Sequence, residues 1–141
     1  MELSEREIEF LTKNTAAAMI TVDAHGVAKA ARVAIALIDG HIWSSGTGGR
    51  VRTTRLRRDP RCTLYVPEDG FGFLCLETTV TLLEGSGSID QSVRLFRQTL
   101  NTPTGPLFFW DTELDEQAFR QRLVEDERLI YQFEVQRSYG L

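Results

Sequence analysis

Short extended stretches separated by turn signals run through the chain as far as residue 87, and they leave few folds open. Ala16 to Val22 reads as a strand, Asp23-Ala24-His25-Gly26 as a turn, and Val27 to Ile38 as a second strand. The alanine content of that second segment lets a helix compete. Strand is preferred because Asp39-Gly40 is a type I′ hairpin signal and His41 to Ser45 resumes an extended pattern behind it. Cys62 to Val66 and Phe71 to Leu83 form a further pair across the turn Pro67-Glu68-Asp69-Gly70, and Gly85-Ser86-Gly87 ends the longer of them. Leu129 to Val135 alternates Leu, Tyr, Phe and Val with Ile, Gln and Glu, the pattern of a half-buried last strand.

Helical signals lie at the margins of these strands. Ser4-Glu5-Arg6-Glu7 sets a capping serine three residues before a glutamate, ahead of Ile8, Phe10 and Leu11. Arg50 to Arg58 reads as one or two helical turns stopped by Asp59-Pro60. Ile89 to Leu100 and Glu116 to Val124 are amphipathic candidates, with a loop or lid edge at Thr102-Pro103-Thr104-Gly105-Pro106 between them. The expectation is a mainly β chain with peripheral helices, a small six-stranded antiparallel barrel in one domain spanning residues 1–141.

Composition narrows the function. Charged residues at 26% and hydrophobic ones at 42% fit a globular chain rather than a disordered one. The longest uncharged apolar run, Asn14 to Val22, is too short to span a bilayer, and no basic-then-apolar leader opens the chain. A cytoplasmic protein with no membrane contact is expected. Cys62 and Cys75 do not make a disulfide framework, neither has a second Cys or a His at ligand spacing, and His25 and His41 lie in turns, so no metal site is expected. The net charge is −4, but residues 50 to 61 hold six arginines against Asp59, a local +5 on a remainder of −9. A local anion site on an acidic protein follows. No aromatic residue lies between positions 46 and 64, which argues against nucleic acid and for a small phosphorylated or carboxylated ligand.

The sharpest local motif is Ser44-Ser45-Gly46-Thr47-Gly48-Gly49-Arg50-Val51-Arg52, a strand end, a glycine-rich turn and a helix start with two arginines. Glycines let backbone N–H groups approach an anion, hydroxyls and a helix N-terminus add donors, and arginine gives bidentate contacts. The same residues also suit a flexible hairpin loop beside a solvated basic helix, and Arg57 and Arg58 suit surface ion pairs. No Lys-Ser/Thr ending makes this a P-loop. Ala28, Ala30, Arg32, Ala34 and Ala36 share one strand face, either for close packing on a helix or as room for a flat ligand with Lys29 or Arg32 at its rim. Phe71-Gly72-Phe73 and Phe108-Phe109-Trp110 are aromatic clusters suited to core, subunit contact or stacking on a planar ring. No Gly-x-Ser-x-Gly elbow and no readable Ser-His-Asp context is present, so a bound cofactor is expected to carry any chemistry.

The run from Arg50 to Arg61, followed by a strand, an acidic Gly turn and Phe71-Gly72-Phe73, resembles the pyridoxamine-5′-phosphate-oxidase-like family of FMN-binding split barrels. In particular it resembles the single-domain actinobacterial branch that uses the deazaflavin coenzyme F420, to which the closing Tyr139-Gly140-Leu141 is also similar. The resemblance implies a six-stranded split β-barrel in a homodimer with cofactor sites at the interface. It implies Arg50 and Arg52 on the cofactor phosphate, Ser45, Gly46 and Thr47 along its approach, Lys29 and Arg32 facing its ring system or tail, and Phe71 reaching the partner subunit's cofactor. The implied activity is an oxidoreductase that moves hydride from reduced coenzyme F420 to a small electrophile such as an enone or quinone, with no protein nucleophile. An FMN flavoprotein, or a non-catalytic binder of flavin, deazaflavin or tetrapyrrole, is the alternative. Two positions depart from the family: Arg52 stands where Lys is common, and Glu77-Thr78 replaces a familiar Glu-Gly, which puts the bulge supported by that glycine at risk.

Overall fold

In the computed structural model, which describes residues Met1–Leu141, one stretch of chain supplies both edges of the main sheet. After the helix α1 (Glu5–Lys13) come β1 (Ala16–Val22), β2 (Ala28–Ala34), β3 (Ala36–Ile38) and β4 (His41–Thr47). The helix α2 (Val51–Arg58) leads to β5 (Arg61–Pro67) and β6 (Phe73–Leu83). Then follow α3 (Gly87–Thr99), the hairpin β7 (Leu107–Phe109) and β8 (Thr112–Leu114), α4 (Glu116–Glu125) and β9 (Arg128–Tyr139). The seven-stranded antiparallel sheet runs β2-β1-β5-β6-β9-β4-β3. Its first and last strands are separated in sequence by Ile35 alone, so the sheet must curl until its two edges approach each other.

The stretch read above as one strand is therefore two, and the sheet has seven strands rather than six. The physical reason is a change of partner. Ala16 to Val22 pairs with Ala34 to Ala28, whereas Ala36 to Ile38 pairs with Trp43 to His41. At the change of partner both main-chain groups are satisfied: Ile35 N donates to the Thr15 carbonyl at 2.8 Å, and Ser44 Oγ donates to the Ala34 carbonyl at 2.8 Å. The side-chain alternation continues through the bend. Val33 and Ile35 lie in the barrel interior, while Ala36 and Ile38 face outward under α3.

The interior is filled from every strand of the curl, with Leu129, Tyr131, Phe133 and Val135 of β9 as its spine. The helix α3 covers β3, β4 and β9 from outside, burying Ala36, Ile38, Trp43 and Ile130 against Leu95. A third apolar cluster, Val93, Leu107, Phe109, Phe119 and Leu123, joins α3 and α4 to the small hairpin. The expected loop before that hairpin is pinned: Arg97 donates to the Thr102 and Gly105 carbonyls, each at 3.0 Å. At the N-terminus the capping box forms as read, with Ser4 N on Glu7 Oε1 at 2.8 Å and Glu7 N on Ser4 Oγ at 3.1 Å.

Two local readings change. A bulge is present where its loss was at risk: the β6–β9 register shifts between Glu77, opposite Arg137, and Thr78, opposite Val135. The extra residue is Gln136 on β9, so no glycine on β6 is needed. Gly46, a candidate for the cofactor approach, faces inward, and any Cβ on it would overlap the Tyr131 ring. That ring is wholly buried and its hydroxyl meets Thr53 Oγ1. Thr53 itself donates to the Thr47 carbonyl at 2.7 Å, so the shared proton comes from the tyrosine. Gly46 thus gives room to the group that ties α2 to β4. Replacing Gly46 with Ala should destabilise the fold by about 1–3 kcal/mol through overpacking, read as a lowered midpoint in urea unfolding with unchanged slope.

Candidate functional site

Where the bent strand crosses β4, the outer surface opens into a cleft of about 460 Å³. Its sheet-side wall is cationic, with Arg32 from β2, Arg50 and Arg52 from the start of α2, Arg128 from the start of β9, and the hydroxyl of Ser45 among them. No acidic residue lines the cleft. Its far wall is apolar, built from Phe96 and Leu100 near the end of α3 and from Phe108 and Trp110 of the hairpin.

The four arginines are not equivalent. Arg128, whose side chain is 9% exposed, gives Nε to Asp126 Oδ2 at 2.6 Å and Nη1 to Ser45 Oγ at 3.2 Å. Its charge is balanced, and it holds Ser45 as an acceptor, leaving the serine proton to be donated elsewhere. Arg32, Arg50 and Arg52 form none of the salt bridges of the chain. Arg52 Nε is buried with no hydrogen-bond partner, an arrangement that costs about 1–3 kcal/mol unless something else accepts the bond. The helix α2 adds to the field: Arg50 at its N-cap makes no capping bond and no acid sits in its first turn. An orphaned guanidinium N–H and two further unpaired cations around one cleft fit an anionic group.

The remaining arginines of the run are engaged elsewhere or lie outside the cleft. Arg57 binds Glu84 at 2.5 Å and Arg58 donates to the Val22 carbonyl at 2.6 Å. Arg61 pairs with Asp59 at 2.8 Å and holds that carboxyl down at about 2. Burial pushes the Cys62 thiol up to about 12, which leaves it a core residue.

Of the residues singled out in the sequence, the cleft gathers Arg32, Ser45, Arg50 and Arg52. Thr47 lies beside it as the carbonyl that receives Thr53, and Gly46 is turned into the barrel. Lys29 sits further along β2, 3.9 Å from Asp23, and Phe71 is fully exposed on the turn between β5 and β6. Gly48 and Gly49 lie on a different depression, near Glu127, so the glycine-rich turn borders the cleft rather than lining it. Arg128 carried no signal in the sequence beyond the acidic run Glu125-Asp126-Glu127 before it. Phe108 and Trp110 did, as an aromatic cluster suited to a planar ring. No group of three or more His, Cys, Asp or Glu is placed to hold a metal ion, and no helix is long and apolar enough to cross a membrane.

The curled sheet with its bent strand and peripheral helices is the pyridoxamine-5′-phosphate-oxidase-like fold, here as a seven-stranded half-barrel. Solved structures share it over nearly the whole chain. A proposed pyridoxamine 5′-phosphate oxidase from Listeria innocua matches with TM-score 0.69 and 10% identity, over 96% of its own length and 97% of this chain. An F420 reductase matches with TM-score 0.70 and 13% identity, over 100% of its length and 99% of this chain. An FAD-binding protein from Mesorhizobium loti matches with TM-score 0.65 and 16% identity, over 92% of its length and 96% of this chain. No family model matches the sequence, and no curated protein matches it. At these identities the likeness establishes the fold.

The cationic wall makes a direct prediction. Pyrophosphate should raise the thermal midpoint of the chain, less so as salt is added. The Arg50→Ala/Arg52→Ala variant should lose that shift, since each charge-assisted contact is worth about 1.5–3 kcal/mol. An undiminished shift in the double variant would place the anion outside the cleft.

Proposed function

We propose that the chain is an oxidoreductase that binds a deazaflavin of the coenzyme F420 type in this cleft and uses it to reduce a small electrophile such as an enone or quinone. The observation that carries the reading is the trio Arg32, Arg50 and Arg52, unpaired around one cleft, with Arg52 Nε buried and unbonded. Arg50 and Arg52 hold the cofactor phosphate, Ser45 donates the proton that Arg128 leaves free, and Arg32 meets the ring system or tail, whereas Lys29, beside Asp23, takes no part in this cleft. Gly46 and Thr47 serve the site by setting the course of β4 beside it. A tail that carries carboxylates as well as phosphate suits three free cations better than the single phosphate of FMN does. The F420 reductase among the structural neighbours supports the same choice, and the FAD-binding neighbour supports a flavin as the second reading.

When bound, the reduced deazaflavin supplies a hydride, and the acceptor completes its reduction with a proton from solvent. The residues of the chain bind, orient and exclude water. No base-activated nucleophile is at hand, because Ser45 Oγ accepts from Arg128 and no His, Asp or Glu lines the cleft. The proposal includes a cytoplasmic protein of one domain, acting on a small molecule and not on nucleic acid.

It also includes a homodimer. The outer face of β2, β1 and β5 carries Ala28, Ala30 and Ala34, exposed, with Ala18, Ile20 and Tyr65 beside them, and no helix covers it. The Tyr65 and Phe73 rings stack at 5.4 Å, and the fully exposed Phe71 would reach a partner's cofactor in such a dimer. A second copy of this chain would bury that small-residue face.

Spectroscopic titration with coenzyme F420 and FMN tests the cofactor: F420 should bind the more tightly, and Arg50→Ala/Arg52→Ala should weaken it by about tenfold or more. Tighter FMN binding would move the assignment to the flavin, and no reduction of any enone or quinone by loaded protein would leave a binding protein. Light scattering should give a dimer for the native chain and a monomer for Ala30→Glu. A monomer in both cases would remove the partner from the account.

A further inference from the structure

An anionic cofactor accounts for only one wall of the cleft. Among residues of the segment between β6 and β9, those that line the cleft carry no charge, and Phe96, Leu100, Phe108 and Trp110 give it an apolar surface. Phe108 is 51% exposed and Trp110 76%, whereas the other tryptophan of the chain, Trp43, is 5% exposed and donates to Gln132. Large aromatics left this open in a chain with three apolar clusters call for an explanation.

The hairpin that presents them is firmly seated. Leu107 and Phe109 alternate with Phe108 and are buried in the cluster under α3 and α4, which turns Phe108 outward. The Phe109 ring meets Phe119 edge-on at 6.0 Å, with the Arg122 guanidinium 4.8 Å and that of Arg128 5.7 Å from its centre. Trp110 occupies the first turn position with φ of 58°, a region that a bulky residue adopts at a cost and that glycine or asparagine adopts readily. A tryptophan held at cost on a rigid mount, beside a cleft whose unpaired cations come from β2 and the start of α2, is placed for contact.

We infer that Phe108 and Trp110 form a second subsite, which takes a flat, uncharged, apolar molecule as the hydride acceptor of the reaction proposed above. The inference rests on that reading for the occupant of the cationic wall. Aromatic faces reward a planar conjugated partner by stacking, and a wall without ionic side chains, whose polar groups are the Thr99 hydroxyl, already donating within α3, and the Trp110 indole N–H, offers little to offset the desolvation of a charged one. An anionic acceptor would instead compete with the cofactor for Arg32, Arg50 and Arg52.

Calorimetry with menadione, a flat uncharged naphthoquinone, tests this in the full chain, with and without coenzyme F420. Trp110→Ala should weaken menadione by about tenfold and leave F420 affinity unchanged, Trp110→Phe should recover most of the loss, and Arg50→Ala/Arg52→Ala should show the reverse pattern. Circular dichroism should report an intact fold, because the Trp110 side chain is exposed. Equal loss of both ligands in Trp110→Ala would make the aromatic wall part of the cofactor site and overturn the inference, as would unchanged menadione affinity or none in the native chain. Failure of the native chain to bind F420 while menadione still depends on Trp110 would sink the cofactor reading and leave the subsite standing.

Discussion

The exchange of partners at Ile35 is the constraint from which the site follows. Because β2 and β3 are one stretch of chain divided between the two ends of a single sheet, the sheet cannot lie open. Curling it creates an inside, filled from β1, β5, β6 and β9, and a seam where β2 passes β4. Across the seam Ser44 Oγ donates to the Ala34 carbonyl where no ladder forms, while Ile35 N extends the β1–β2 pairing to the Thr15 carbonyl. The cleft opens on the outer side of that seam, with Arg32 on one strand and Ser45 on the other. The Thr47–Thr53–Tyr131 chain of hydrogen bonds then fixes the start of α2 beside it, which is how Arg50 and Arg52 come to share a wall with residues of two other elements.

Electrostatics and packing divide the work. Arg57, Arg61, Arg94, Arg97, Arg120 and Arg128 each have a carboxylate partner. The pairs on the surface contribute little individually. Their effect is to consume acidic groups away from the seam, so that Arg32, Arg50 and Arg52 keep an uncompensated positive field. Unpaired cations around a cleft, one with a buried unbonded N–H, lower the stability of the empty chain and are retained where a ligand restores the balance.

Much of the frame was legible in the residues. Asp39-Gly40 forms the tight turn its type demands, with φ of 52° and 80° at the two positions, and Asp59-Pro60 ends α2 as a proline must. Even the alternation through Val27 to Ile38 was right, yet the break at Ile35 left no mark on it, because a change of neighbour alters hydrogen-bond partners and not the side-chain period. The strands β7 and β8, three residues each, fall below any periodic signal. The site was half legible: Arg50 and Arg52 announce themselves by density of charge, and Ser45 by the turn it precedes. Arg128 carries no such mark, since its place in the cleft comes from the β4–β9 register, and Gly46 has the sequence setting of a ligand-facing glycine although the Tyr131 ring fills the space beside it.

We propose the seam cleft, with its three unpaired arginines, as the anchor of the cofactor. A crystal structure of the chain grown with coenzyme F420 tests it most directly. Phosphate density is expected within hydrogen-bond distance of Arg50 and Arg52, with Arg52 Nε engaged. Ligand density at the depression beside Gly48 and Glu127, with the arginine wall empty, would contradict it.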